Sequence, residues 1–176
     1  MKAIQSLFLL LLLLAFAPLC RADDGFGSVT CGGDVAKALV GKKLSNEADS
    51  VVESRHRNLA LKDLGGDEIS DDIFLSVWTI CGGDYMLTLR HGVVRDVLKM
   101  PAHSATEKEF DGDCTKGKTP VPGVIVGTLA DQPGSDALAA KTAWKLDDKT
   151  GKFTSIPADG LMCSRSGIIF PDEKKK

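Results

Sequence analysis

Histidines, cysteines and carboxylates are the residues of this chain able to do chemistry, and their spacing says which reactions to expect. His56, His91 and His103 lie in three separate segments. Folding would have to bring all three together to make a zinc site, whereas singly each reads as a surface or turn histidine. Neither a CxxC nor an HxxxH spacing occurs. A cysteine nucleophile needs a free thiol beside a base, and Cys114 and His103 share the polar run 101–119, although the even cysteine count makes Cys114 half of a bridge instead. Adjacent acids at Asp71-Asp72 and Asp147-Asp148 diverge on a strand or turn and cannot straddle a sugar bond, so they read as solvated turn acids. Glu107, Glu109, Asp111 and Asp113 could hold a weak calcium ion, but the glycine-centred twelve-residue loop pattern is missing. No GxSxG, HExxH or GxGxxG motif occurs. These patterns nominate no catalytic residue, no metal and no cofactor.

One short motif has binding character. Ser164-Arg165-Ser166-Gly167 follows Cys163 directly, and a bridge at Cys163 would hold the loop near one conformation and lower the ordering cost on binding a partner. If Arg165 anchors a partner, Arg165→Ala weakens binding by about 2 kcal/mol with little change in melting temperature. The competing reading is an ordinary tethered turn.

The amino terminus says where this chemistry takes place. Met1-Lys2, an apolar run Ala3 to Ala17, and a break ending at Ala22 form the three parts of a secretory leader. Cleavage after Ala22 leaves residues 23–176 as one exported domain, secreted or periplasmic, with no stable membrane insertion. Loss of Lys2 and Arg21 shifts the net charge from -2 to -4. With no basic stripe outside Lys174 to Lys176, a nucleic-acid partner is not expected. Cys20 leaves with the leader. Cys31, Cys81, Cys114 and Cys163 then imply two disulfides in an oxidising compartment.

The elements that must position these residues are organised around 73–100. Ile73 to Cys81 is β-prone and largely apolar on both alternating faces, so it reads as a central strand covered on both sides. Turn residues at Cys81 to Asp84 and at Arg90 to Gly92 make 73–100 a three-strand meander. Asp34 caps a short helix to Val40, and 45–64 reads as a helix giving way to a strand. Gly65 to Asp67 reads as a chain break, and 101–119 as a long loop. Pro122 to Leu129 reads as a buried strand, Ser135-Asp136 as the cap of one helical turn, and 142–156 as a hairpin through Asp147 to Gly151. The expected fold is α+β, a single antiparallel sheet of five or six strands with one or two short helices and two disulfides. Strand direction puts Cys81 and the start of the 101–119 run at one end of that sheet, which favours Cys81 with Cys114 and Cys31 with Cys163.

A small exported α+β domain with two bridges is similar in format to the periplasmic inhibitors of lysozyme, although their inhibitory loop motif is absent. The expected function is a non-catalytic binding or inhibitor module for an unknown protein or small ligand in the envelope or outside the cell. A small secreted hydrolase using scattered His and carboxylate residues is the first alternative, and a structural envelope protein the second.

Overall fold

The structure is a computed structural model that describes residues 24–104 and 106–169. The leader expected at 1–22 and the basic tail at Lys174 to Lys176 lie outside the described residues. No helix among the described residues is long and apolar enough to cross a membrane.

The central meander forms as its pattern predicts, and a further strand joins it. β1 (Lys62–Ser70), β2 (Ile73–Ile80), β3 (Gly83–Arg90) and β4 (Val93–Lys99) make an antiparallel sheet in that order. The two-residue turns Cys81-Gly82 and His91-Gly92 place both residues at positive φ, the geometry that matches the twist of a tight hairpin. Gly65 to Asp67 lies inside β1 rather than breaking the chain. Gly66 sits against the Phe74 ring and the Leu75 carbonyl, where a side chain has no room.

Two short helices cover one face of this sheet. α1 (Val35–Leu39) begins as predicted, with the Asp34 side chain accepting from the Lys37 amide at 2.9 Å. α2 (Asp49–Arg55) precedes β1. Alternation along β2 separates two cores. Trp78 and Ile80 pack with Phe26, Leu39 and Val52 under the helices. Leu75 and Val77 face the other way and meet Met86, Met100 and Val126, with Trp144 and Phe153 alongside. The expected double coverage of β2 is therefore present, helices on one side and a second sheet on the other.

That second sheet corrects the single sheet expected. β5 (Glu107–Lys116), β6 (Thr119–Ala130), β7 (Ala137–Leu146), β8 (Phe153–Ser155) and β9 (Leu161–Ser164) pair in the order β6-β5-β9-β7-β8. β6 also pairs with β7, so β5, β6, β7 and β9 close into a ring. Its interior holds Phe110, Ile125, Leu129, Leu138 and Leu161. Closure removes the exposed edges that would let these strands extend the first sheet. The run 101–119 is largely strand, masked in sequence because only Glu109, Phe110 and Cys114 of β5 are buried. The helical turn at Ser135-Asp136 is absent, and β7 starts at Ala137. The hairpin within 142–156 is as expected: β7 pairs with β8, and Asp147 accepts from the Lys149 and Thr150 amides in the connecting loop.

The disulfides number two, but they pair differently from the expectation. Cys31 joins Cys81, and Cys114 joins Cys163. The α1 layer lies over the face of the first sheet and brings Cys31 to the β2–β3 turn. Cys114 lies near the far end of β5, directly opposite Cys163 on β9. The topological argument placed the start of the 101–119 run correctly, because the Met100 amide bonds the Asp84 carbonyl at 2.9 Å. It failed for Cys114 because β5 carries that residue a full strand length away.

Candidate functional site

Three side chains from different elements converge beside the β2–β3 turn. Asp84 stands at the start of β3, His103 follows β4, and Glu109 lies on β5 of the second sheet. Each offers a donor atom within 4.8 Å of the others. Asp84 Oδ1 accepts from Thr79 Oγ1 across the hairpin at 2.7 Å, which sets its direction. His103 Nδ1 lies 3.2 Å from the Pro101 carbonyl and 4.0 Å from Glu109 Oε1.

Glu109 is the unusual member. It is only 7% exposed, and its Oε1 has no hydrogen-bond partner among the described residues. Burial pushes its carboxyl up to about 7, with the Asp84 charge adding and the His103 ring opposing. Two residues along β5, burial and the Asp67 charge push Asp111 up to about 6. Glu107, Glu109, Asp111 and Asp113 do not form one calcium shell. Successive members stand about 6.6 Å apart along an extended strand, and only Glu109 joins the converging group.

The site opens onto a cleft of about 610 Å3 whose walls include Gly33, Gly82, Lys99 and Ala102. A Cβ at Gly32 or Gly82 would meet nothing, so both backbones border open space on the cleft. The Cys31–Cys81 bridge holds these two walls together. A second recess of about 230 Å3, lined also by Leu64, Glu107 and Ile169, takes in all three of Asp84, His103 and Glu109, whereas the larger cleft is bordered by Asp84 and His103 of the three.

The other histidines lie elsewhere. His56 Nε2 sits 2.8 and 2.7 Å from the two oxygens of buried Asp24, which also takes Arg55 Nη1 at 2.6 Å. Arg55 reaches on to Glu47, and Phe26 covers the cluster with its ring 5.1 Å from Trp78. This satisfied ion network anchors the start of the described chain. His91 is exposed, 3.8 Å from Asp72. The zinc triplet of histidines is therefore not assembled, and a Cys114 nucleophile is ruled out because its sulfur is in a disulfide.

Arg165–Gly167 form a 3-10 turn capped by Ser164 at the end of β9, its Oγ accepting from the Ser166 amide. Arg165 Nε donates to the Ser135 carbonyl at 2.7 Å, its Nη2 to the Gln132 carbonyl, and its Nη1 pairs with Asp131 at 2.9 Å. The guanidinium clamps the turn between β6 and β7. Sequence reasoning named His103, Asp84 and Glu109 in separate contexts and never together. The available signal was the shared sheet end of Asp84 and the segment after Met100; what hid Glu109 was its strand being read as loop.

Comparison with protein-family models, curated proteins and solved structures finds no match for this chain. The likeness to lysozyme inhibitors thus remains one of format.

Proposed function

We propose that the protein is an exported, non-catalytic binding module whose ligand, a protein segment or small molecule, enters the cleft beside the β2–β3 turn. The observation that carries this reading is a solvent-open cleft in which the Gly32-Gly33 and Cys81-Gly82 linings are tied by the Cys31–Cys81 bridge. A pre-organised cleft loses little entropy on binding. Backbone at Gly32 and Gly82 offers hydrogen bonds unshielded by side chains, while Lys99, Asp84 and His103 supply charge. Arg165, the residue nominated from sequence, is already engaged by its own chain and is the weaker anchor.

The test uses oxidised, chelator-treated protein starting at Asp23, with Ala102→Trp filling the cleft and Arg165→Ala in parallel. Ligand is captured from envelope extract and its affinity is then measured by calorimetry. Ala102→Trp should abolish binding at unchanged melting temperature. Arg165→Ala should keep the affinity but lose about 1–2 kcal/mol of stability. Wild-type affinity in Ala102→Trp would overturn the cleft, and weakened binding in a fully stable Arg165→Ala would return the site to 164–166.

A hydrolase is the second reading, favoured by the convergence of His103 with Glu109, a buried carboxyl whose pKa suits a general base near neutral pH. Turnover of ester, phosphoester or peptide substrates that is lost in Glu109→Gln would select it.

A further inference from the structure

Glu109 raises a question that the binding reading leaves open: a carboxylate oxygen is buried without a hydrogen-bond donor while it faces an imidazole and a second carboxylate. An unmade hydrogen bond at a buried acceptor is costly, and proteins keep such a group where something else satisfies it. Lys99 and Lys108 border the two recesses, yet neither forms an ion pair with Glu109 among the described residues. We propose that Asp84, His103 and Glu109 bind a divalent transition-metal ion, zinc being the favoured occupant, on the wall of the ligand cleft. This rests on the cleft reading for its role but not for its existence.

The donor set selects the metal class. One imidazole nitrogen with two carboxylate oxygens suits zinc and its neighbours in the first transition row. Calcium takes six to eight oxygens, and magnesium is rarely held by such a set. A tetrahedral ion with bonds near 2.0–2.1 Å needs its donors about 3.3 Å apart, so a group spread over 4.8 Å must close slightly. The half-buried Asp84 and His103 side chains can make that movement against a fixed, buried Glu109. One supporting bond is already in place, Thr79 Oγ1 holding one oxygen of Asp84, whereas His103 faces Glu109 through Nδ1 and must give up its contact with the Pro101 carbonyl to take an ion there. The two recesses that border these residues leave the ion's remaining position open to water or to a ligand donor. An ion so placed would offer the cleft's ligand a carboxylate-binding or carbonyl-binding point.

Zinc itself is the probe, titrated into chelator-treated, oxidised protein by calorimetry, with melting temperature followed in parallel and calcium as the comparison ion. One zinc per chain should bind, raise the melting temperature and outcompete calcium. His103→Ala and Glu109→Gln should each weaken zinc on the order of a hundredfold, whereas His91→Ala should leave it unchanged. Glu109→Gln should also melt at or above the metal-free wild type, because a neutral amide replaces a buried, unpaired carboxyl. No saturable zinc, or zinc binding that survives both substitutions, would overturn the site. Because capture by the cleft is measured without metal, loss of zinc binding with capture intact removes only the metal. Zinc binding without capture removes only the ligand reading.

Discussion

Asp24 illustrates how a single side chain here couples charge to folding. Burial alone would raise its pKa, but hydrogen bonds from His56 and Arg55, together with the Phe26 amide, outweigh burial and hold the carboxyl below its ordinary value of 3.8. A carboxylate with a depressed folded-state pKa contributes stability that is fully present above the unfolded value and lost as pH falls through the folded one. Asp24→Asn should therefore cost on the order of 3 kcal/mol at pH 7, as expected for breaking a buried pair. The gap from wild type should shrink as pH falls below 3.8 and through the folded value. Urea denaturation of both proteins at pH 7 and at pH 2 to 3 measures it, and a gap that is constant with pH would refute the assignment. Nothing in the sequence marked Asp24, because its partners Arg55 and His56 lie on and just beyond α2, about thirty residues away. The candidate metal ligands were hidden for the same reason.

At the scale of elements, the two disulfides do different work. Cys31–Cys81 ties the helical layer to the first sheet across 50 residues, and Cys114–Cys163 ties β5 to β9 across 49. Loops of that length imply ~3 to 5 kcal/mol each on the chain-entropy view. Peptide mapping without reduction should recover a Cys31–Cys81 peptide and a Cys114–Cys163 peptide; a Cys81–Cys114 peptide would contradict the fold. Replacing Cys114 and Cys163 together by alanine should lower stability by that amount and loosen the β5–β9 pairing, seen as faster amide exchange at 114–116. β5 itself was unreadable as a strand. Its sequence EKEFDGDCTK alternates acids with few apolar residues, since only Phe110 and Cys114 enter the ring core. By contrast β2 and β3 declared themselves, because both of their faces are buried and the apolar run is continuous.

Across the whole molecule, one core cluster lies between the two sheets and draws side chains from both. Met86 is fully buried there and packs in one cluster with Leu75, Val77, Met100 and Val126 of the second sheet. Thr88 bonds the Gly151 carbonyl and Asp96 accepts from the Phe153 amide, so polar links join the first sheet to the β7–β8 hairpin as well. Met86→Ala should cost about 2–5 kcal/mol. It should lower one cooperative transition seen identically by tryptophan fluorescence and far-UV circular dichroism, since Trp78 and Trp144 lie on different sheets. Two separated transitions would show that the sheets fold independently. The sequence by itself determined the elements whose signal is local: the meander, with a turn near each of its two breaks; the Asp34-capped helix; the 142–156 hairpin; and an even set of cysteines outside the leader-like segment. Only the tertiary structure decided that the strands divide into two sheets, which cysteines pair, and that Asp84, His103 and Glu109 converge. Those outcomes depend on how far-separated segments pack. Alternation and turn chemistry specify a strand's faces and ends, but not which other strand closes against it.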